Sequence, residues 1–492
     1  MRMMIGVMAM ALTTQPALAQ ETGRFERAVA AVEARIAETD KLGTYPGRAL
    51  VMVKVGEAPV IDVVGRTRAE GGEAATGETP FYIASMTKAF VGLMAVRLDE
   101  MGVLSLDTTI GEIFPEMTVE GVDFDGLTMR DALSHQLGFR AVPLNIRTAY
   151  TDLVAVDEYP AIVNASGEAN GEAFRYDNLG YLLYGAALEK KTGRSWRSWI
   201  DDIVFDPLGM THTSARTSDF REVSHLHEEY EDGWRTYAPK SDAVMHAAGG
   251  LHVSANDMAR WLAANAGAPS AIPREIFGAA QAAQVPLDMA QGPMKCTGYA
   301  FGWRRCEALG FDFLEHGGGY TGMRSEMIVL PEEGVGFAVV FNSDSMTGGL
   351  SGKLMQTFLM SYAGADGELP DPAAFVADYA QDTKDYRANR SQRERDALAA
   401  LGGGWTPSSA ELIAISGTYR HAAAGTIELV VAGDRLAGEI NGTAIMLRPS
   451  EKDRFLASMT TDPTLEDFAV VRDARGAVTG LTYSDVPFAR VD

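Results

Sequence analysis

The chain carries two cysteines in 492 residues, which excludes a small fold held by a dense disulfide framework. Cationic charge is also scarce. Lys+Arg number 43 against 66 Asp+Glu, for a formal net charge of −23 and a pI of about 4.8. Those few cations gather into no basic amphipathic stretch and no polybasic tail. That argues against an anionic membrane surface as partner, and against nucleic acid, whose phosphates such a field repels. No run reaches eighteen consecutive apolar residues, so no membrane-spanning helix is expected. Gly-x-Ser-x-Gly is absent, which removes the α/β-hydrolase elbow, and no segment repeats at a fixed period. What remains is ordinary for a folded protein: 46% hydrophobic and 22% charged residues, a composition that fits neither disorder nor collagen. The length predicts two to four domains with cores that need no staples.

The first residues have a different logic. Met1-Arg2 is followed by an apolar run from Met3 to Leu12 and by the small-x-small site Ala17-Leu18-Ala19. This is the pattern of a cleavable signal peptide covering residues 1–19, with Gln20 as the new first residue. It predicts a periplasmic or secreted protein. Gln20, not a cysteine, directly follows the cleavage site, so a lipid anchor is not expected, and without a long apolar run neither is membrane insertion. Removing Arg2 and no acid takes the charge balance to 66 against 42, or −24. An oxidising compartment permits a bond between Cys296 and Cys306, which flank a segment, Tyr299 to Trp303, that reads as a strand. The pair reads equally well as reduced and partly buried.

Periodicity predicts an amphipathic helix from Arg24 to Lys41, with Phe25, Val29, Val32 and Ile36 on one face. A hairpin follows over Ala49 to Val64. Further helices are predicted over Ser85 to Met101, Thr128 to His135, Tyr181 to Thr192, Ala255 to Ala264 (N-capped by Ser254) and Leu350 to Tyr362. Met327 to Leu330 and Val335 to Phe341 read as adjacent antiparallel strands. Residues 364–408, with their Pro/Asp/Gly-rich start, charged helix and Gly402-Gly403-Gly404, read as a connector. After about Ser409 short strands dominate. Asn441-Gly442 is a strong hairpin signal, and the run of hairpins suggests a small meander barrel over residues 409–492.

Three motifs carry chemistry. Ser85-Met86-Thr87-Lys88 is a Ser-x-x-Lys; one helical turn brings Lys88 to the Ser85 hydroxyl. Serine needs such an adjacent base to act as a nucleophile, and an apolar helix eases loss of the lysine proton. Tyr176-Asp177-Asn178 offers a phenol for general acid–base work and an amide to position Lys88 or a substrate carbonyl. Read alone, it is a turn before a helix. His316-Gly317-Gly318-Gly319, after a strand from Phe311 to Glu315, lets a substrate backbone approach closely. The amides of Gly319 and Ser85 suit an oxyanion hole. The plain alternative is a flexible loop with a solvent-facing histidine. One further cluster, His225-Leu226-His227-Glu228-Glu229, has the look of a metal site. No second His/Cys group follows at ligand spacing, so no metal and no cofactor is expected.

Taken together, Ser85, Tyr176 and His316, spaced by 91 and 140 residues, resemble the motif order of the serine β-lactamase-related hydrolases. That family includes class C β-lactamases, D-aminopeptidases, D,D-carboxypeptidases and family VIII esterases. The resemblance covers roughly residues 24–363. It includes Leu127 to Gly138, Gly180 to Gly193 and Ala248-Gly249-Gly250-Leu251 to Asp257. It implies an α+β fold: a β-lactamase/transpeptidase-like antiparallel sheet flanked by helices, with an all-helical subdomain. Gly417-Thr418-Tyr419 and Pro487-Phe488-Ala489-Arg490 resemble the start and end of the lipocalin-like barrel found in some relatives, which either shapes the cleft or is a structural appendage. The implied mechanism has Ser85 acylated, Lys88 and Tyr176 sharing proton transfer, and Asn178 with His316, Gly317, Gly318 and Gly319 binding substrate. The implied substrates are small molecules or short peptides with an amide or ester bond. Peptidase, esterase, true β-lactamase and an acylated sensor without efficient turnover stay open, as does the oligomeric state. One departure stands out. β-Lactamases carry Lys-Thr-Gly or Lys-Ser-Gly where this chain has His316-Gly317-Gly318. A near-neutral histidine there lacks the fixed charge that meets a substrate carboxylate.

Overall fold

The computed structural model describes residues 23–292, 294–401, 405–461 and 465–491. The expected signal segment and the glycine run at 402–404 lie outside the described residues. Eight antiparallel strands form the central sheet: β1 (Gly47–Lys54), β2 (Val60–Gly65), β3 (Val285–Gln291), β4 (Met294–Tyr299), β5 (Arg304–Ala308), β6 (Phe311–Tyr320), β7 (Met323–Leu330) and β8 (Val335–Phe341). Their order is β3-β4-β5-β6-β7-β8-β1-β2, so the early hairpin docks on the late meander through β1 and β8, with Val51 opposite Ala338.

Both faces of β8 are covered, which is why it reads as an unbroken apolar run. The period of two survives in the destination of each side chain. Val335, Phe337, Val339 and Phe341 enter one core, while Ala338 and Val340 enter the other. Helix α1 (Arg24–Asp40) lays Phe25, Ala28, Val32 and Ile36 on the first core, close to the face its periodicity predicts. Helices α2 (Thr87–Glu100), α3 (Leu179–Thr192) and α4 (Ala255–Asn265) build the second. Buried residues of α2 and α3 lie on every side, as enclosure requires. Ser254 caps α4, its hydroxyl accepting from Asp257 N–H. Helix α5 (Thr347–Ala363) returns to the face of α1.

The segment between sheet and barrel is more than a tether. Helix α6 (Pro372–Leu401) buries Phe375 and Tyr379 in the α1 core. Its Arg387 and Arg390 pair with Glu229 and Glu228 at 2.8 and 3.0 Å. This explains the His225–Glu229 cluster. His227 donates from Nδ1 to Asn342 O at 2.7 Å and accepts Ala69 N–H on Nε2 at 3.1 Å. Burial pushes it down to about 4. Both ring nitrogens are spent, and both acids hold α6.

Three local readings are corrected. Tyr299 to Trp303 is not one strand: β4 ends at Tyr299 and β5 begins at Arg304. The turn between them needs Gly302 at φ +80°, where a Cβ would collide with the backbone of Lys88. Cys296 and Cys306 face each other across β4 and β5 and are disulfide-bonded. His316 to Gly319 is no loop but part of β6, paired with β7 through Gly318 and Ser325. The barrel region opens with a helix, Ser409–Ile415, because Ser408 and Glu411 form a capping box. Eight strands then close on themselves, from Gly417–His421 to Val486–Arg490. Asn441 and Gly442, at φ 50° and 80°, turn the predicted hairpin. The barrel touches the first unit through Thr461, which donates to Tyr150 O at 2.8 Å and accepts from Tyr320 Oη at 3.3 Å.

Candidate active site

Strand Phe81–Tyr82 delivers the chain to Ala84, whose φ of 46° is unusual for a residue with a side chain. Ser85 follows in a single tight turn, Ala84–Met86, that runs into α2. One turn later Lys88 is fully buried. Its Nζ lies 3.1 Å from Ser85 Oγ, 2.8 Å from Asn178 Oδ1 and 2.8 Å from Ala248 O. Asn178 Oδ1 and Ala248 O can only accept, so they fix two N–H bonds. The remaining position on nitrogen faces Ser85. An ammonium donates there; a free amine receives the hydroxyl proton there.

Tyr176 is 42% exposed and presents its ring 4.9 Å from Lys88 Nζ. Among the described residues no hydrogen bond joins its hydroxyl to Ser85 or Lys88. Asp177 orients the segment, accepting Asn145 Nδ2–H at 2.6 Å and Leu179 N–H at 2.8 Å. His316 is 1% exposed rather than solvent-facing. It belongs to a relay that the sequence reading missed. Asp177 N–H donates to His135 Nδ1 at 3.2 Å, which leaves the His135 proton on Nε2 to meet Tyr299 Oη at 3.0 Å. The Tyr299 hydroxyl then donates to His316 Nε2 at 3.3 Å, and His316 Nδ1–H donates to Gly317 O at 2.7 Å. Burial pushes both histidines well below their ordinary range, His135 with help from Lys88, His316 from Arg304 and then Lys88. No fixed positive charge stands at His316.

Gly318 has a packing role. A Cβ there would collide with Ile83 O and Ser325 Oγ, and Ser325 Oγ donates to Ile83 O at 3.0 Å. The missing side chain lets β6 run against the turn that holds Ser85. Of the four residues from His316 to Gly319, only Gly319 lines the cavity above Ser85.

That cavity, about 160 Å³, is bounded by Ser85, Asn178, Gly319, Tyr82, Tyr150 and Ala248 among others. Its wall also holds Lys240 and His246, which no motif flagged. A larger cavity of about 460 Å³, between the barrel and residues near Ile146, shares Ile146 and Tyr150 with it. Tyr150 stacks on Tyr320 at 5.3 Å. The barrel therefore touches two residues of the pocket wall.

Residues 32–356 match the family model for Beta-lactamase, and the chain belongs to that family. Relatives agree. Protein flp of Staphylococcus aureus is 24% identical over 315 residues, covering 62% of this chain and 61% of its own. Penicillin-binding protein 4 of Amycolatopsis lactamdurans is 26% identical over 296 residues, or 56% and 75%. The chain thus spans about three fifths of the first of these relatives. In fold it is similar to an octameric penicillin-binding protein homologue from Pyrococcus abyssi: TM-score 0.59, 21% identity, 94% of this chain and 100% of that one. D-amino acid amidase from Ochrobactrum anthropi is similar over 69% of this chain and 99% of its own, with TM-score 0.58 and 18% identity. The first of these likenesses extends across the barrel. The second covers a smaller share of the chain.

Proposed function

We propose that the chain is an exported serine hydrolase that cleaves amide or ester bonds through an acyl-enzyme. One observation carries this: the Lys88 amine, held by two obligate acceptors, turns its third position to Ser85 Oγ at 3.1 Å. In this reading Ser85 Oγ attacks a carbonyl while its proton passes to Lys88, and Tyr176, at the rim, returns a proton to the leaving group. In the same reading the amides of Ser85 and Gly319 hold the oxyanion. Water then releases the acyl group. Substrates are small molecules or short peptides, and the neutral His316 favours peptidase or esterase work over penicillin hydrolysis. The likeness to penicillin-binding proteins supports a second reading, a protein that acylates without efficient turnover.

Labelling with a fluorophosphonate tests the shared step. Wild type should label and Ser85→Ala should not. A panel of p-nitrophenyl esters, D- and L-aminoacyl anilides, a D-Ala-D-Ala peptide and nitrocefin then separates the readings. Turnover of esters or aminoacyl anilides supports the hydrolase. A stable acyl adduct on every substrate supports the sensor, and rapid nitrocefin turnover supports a β-lactamase.

A further inference from the structure

We propose that Lys240 is the group by which this pocket recognises a carboxylate on its substrate; the proposal deepens the hydrolase reading and rests on it. Lys240 is 5% exposed, and its Nζ has no hydrogen-bond partner among the described residues. Its neighbours are aromatic: the Tyr82 ring centre is 5.5 Å away and the Tyr320 ring centre 4.5 Å. It lines the same cavity as Ser85, Asn178 and Gly319.

Among the described residues no carboxylate pairs with it. Tyr82 donates its hydroxyl to Gly249 O, and burial keeps that hydroxyl protonated. His246 and His252 are buried and pushed down, in part by Lys240 itself, so both are neutral. Asp242, two residues on, has its carboxylate on Ser218, accepting from N–H at 3.1 Å and from Oγ at 2.5 Å. Burial without a partner draws Lys240 down to about 7. An enclosed amine with no partner is costly to fold, and it gains one when an anion enters the cavity.

The size and charge of the site narrow the ligand. A cavity of about 160 Å³ with one amine suits a single carboxylate close to the scissile carbonyl, not a larger polyanion. The aromatic walls keep water away and strengthen such a pair. The charge that the third motif lacks is thus furnished from the segment preceding Ala248, by an amine that an entering carboxylate holds protonated, and the substrate class becomes esters or amides that carry an acid, at a chain terminus or on a side chain.

Two matched pairs of esters test this: mono-p-nitrophenyl glutarate with its methyl ester, and 4-acetoxybenzoate with its methyl ester. The quantity read is the ratio of kcat/KM for acid over methyl ester, which cancels the active fraction of each preparation. Wild type should prefer the acid at least tenfold in one pair. Lys240→Met should lower that ratio at least tenfold, and Lys240→Arg should keep most of it. No preference in wild type, or an unchanged ratio in Lys240→Met, overturns the proposal. Calorimetric binding of mono-p-nitrophenyl glutarate to Ser85→Ala, with and without Lys240→Met, needs no turnover. If no ester is hydrolysed by any form, the hydrolase reading fails. A tenfold weaker binding in the double variant then still upholds Lys240, and equal binding overturns it.

Discussion

The floor and the wall of the pocket are built on opposite rules. On the floor the chemically active groups have partners: Lys88 Nζ meets Ser85 Oγ, Asn178 Oδ1 and Ala248 O, and His135, Tyr299 and His316 form a continuous relay. On the wall they do not. Among the described residues Lys240 Nζ and His246 Nδ1 are buried there without hydrogen-bond partners. A satisfied cluster is rigid and holds reacting atoms in place before substrate arrives. An unsatisfied one carries a debt in the free protein that a ligand of the right chemistry removes. In the proposed reading, the difference separates the groups assigned to the reaction from those assigned to selecting its substrate.

Replacing each lysine with methionine should break the symmetry between them most sharply. Lys88→Met removes the proton acceptor and should lower kcat/KM by on the order of 10³-fold on acidic and neutral esters alike. It also strands Asn178 Oδ1 and Ala248 O, so its urea midpoint should fall. A loss that spared acidic esters, or a rise in midpoint, would erase the contrast.

Lys240→Met should act on stability with the opposite sign. The amine falls from an ordinary value near 10.5 to about 7 in the folded chain. Between those values the unfolded chain holds a proton that the folded chain lacks, so stability rises with pH. The penalty is complete at and below pH 7 and fades toward pH 10.5. The variant should therefore be more stable by on the order of 3 kcal/mol at pH 6.5, with the gain shrinking at pH 9.5. Urea melts at the two pH values decide it. An equal gain at both would mean that charge burial is not the cause.

Adjacent glycines of β6 sharpen the same division at smaller scale. Gly318 is wedged against Ile83 O, whereas a Cβ on Gly319 would come no nearer than 3.5 Å to the Arg324 guanidinium. Gly318→Ala should cost about 1–3 kcal/mol and displace the turn before Ser85. Gly319→Ala should leave the midpoint within about 0.5 kcal/mol while obstructing the cavity mouth. Differential scanning calorimetry beside ester kinetics separates the two; equal loss of stability would place Gly319 in the packing as well.

Much of this floor was legible in the residues. Ser85 and Lys88 are one helical turn apart, so local spacing suffices to pair them. The buried face of α1 follows from apolar periodicity, and the barrel from its hairpin signals, Asn441-Gly442 above all. What stayed hidden depends on distant packing. Nothing local distinguishes Lys240 from an exposed lysine, because its burial comes from Tyr82 and Tyr320, which are remote in the chain. His135 lies inside a stretch that resembles the family, yet its partner Tyr299 is 164 residues away. The His225–Glu229 cluster, set aside as a metal site, gave no sign of what does hold its acids, since the arginines that occupy them lie on α6. Gly302 hid the turn before β5, because only the close approach to Lys88 demands it.

The smallest effect concerns the relay itself. Tyr299→Phe removes one hydroxyl that joins His135 to His316 and leaves the pocket lining untouched. In wild type that hydroxyl donates to His316 Nε2, a bond that exists only while Nε2 is unprotonated. Losing it, with burial unchanged, should let His316 rise part of the way back toward 6.5. The stability that a buried neutral histidine contributes is present above its unfolded value and is lost as pH falls through its folded one. The acid limb of the kcat/KM profile should accordingly move to higher pH in Tyr299→Phe. At pH 8 the loss should be no more than about threefold, and it should grow as pH falls, by no more than about fivefold, since one neutral hydrogen bond contributes about 1 kcal/mol. A pH–rate profile from 5 to 9 on a neutral ester reads this directly. A parallel drop at every pH would reduce Tyr299 to packing, and the floor would then owe its order to Lys88 alone.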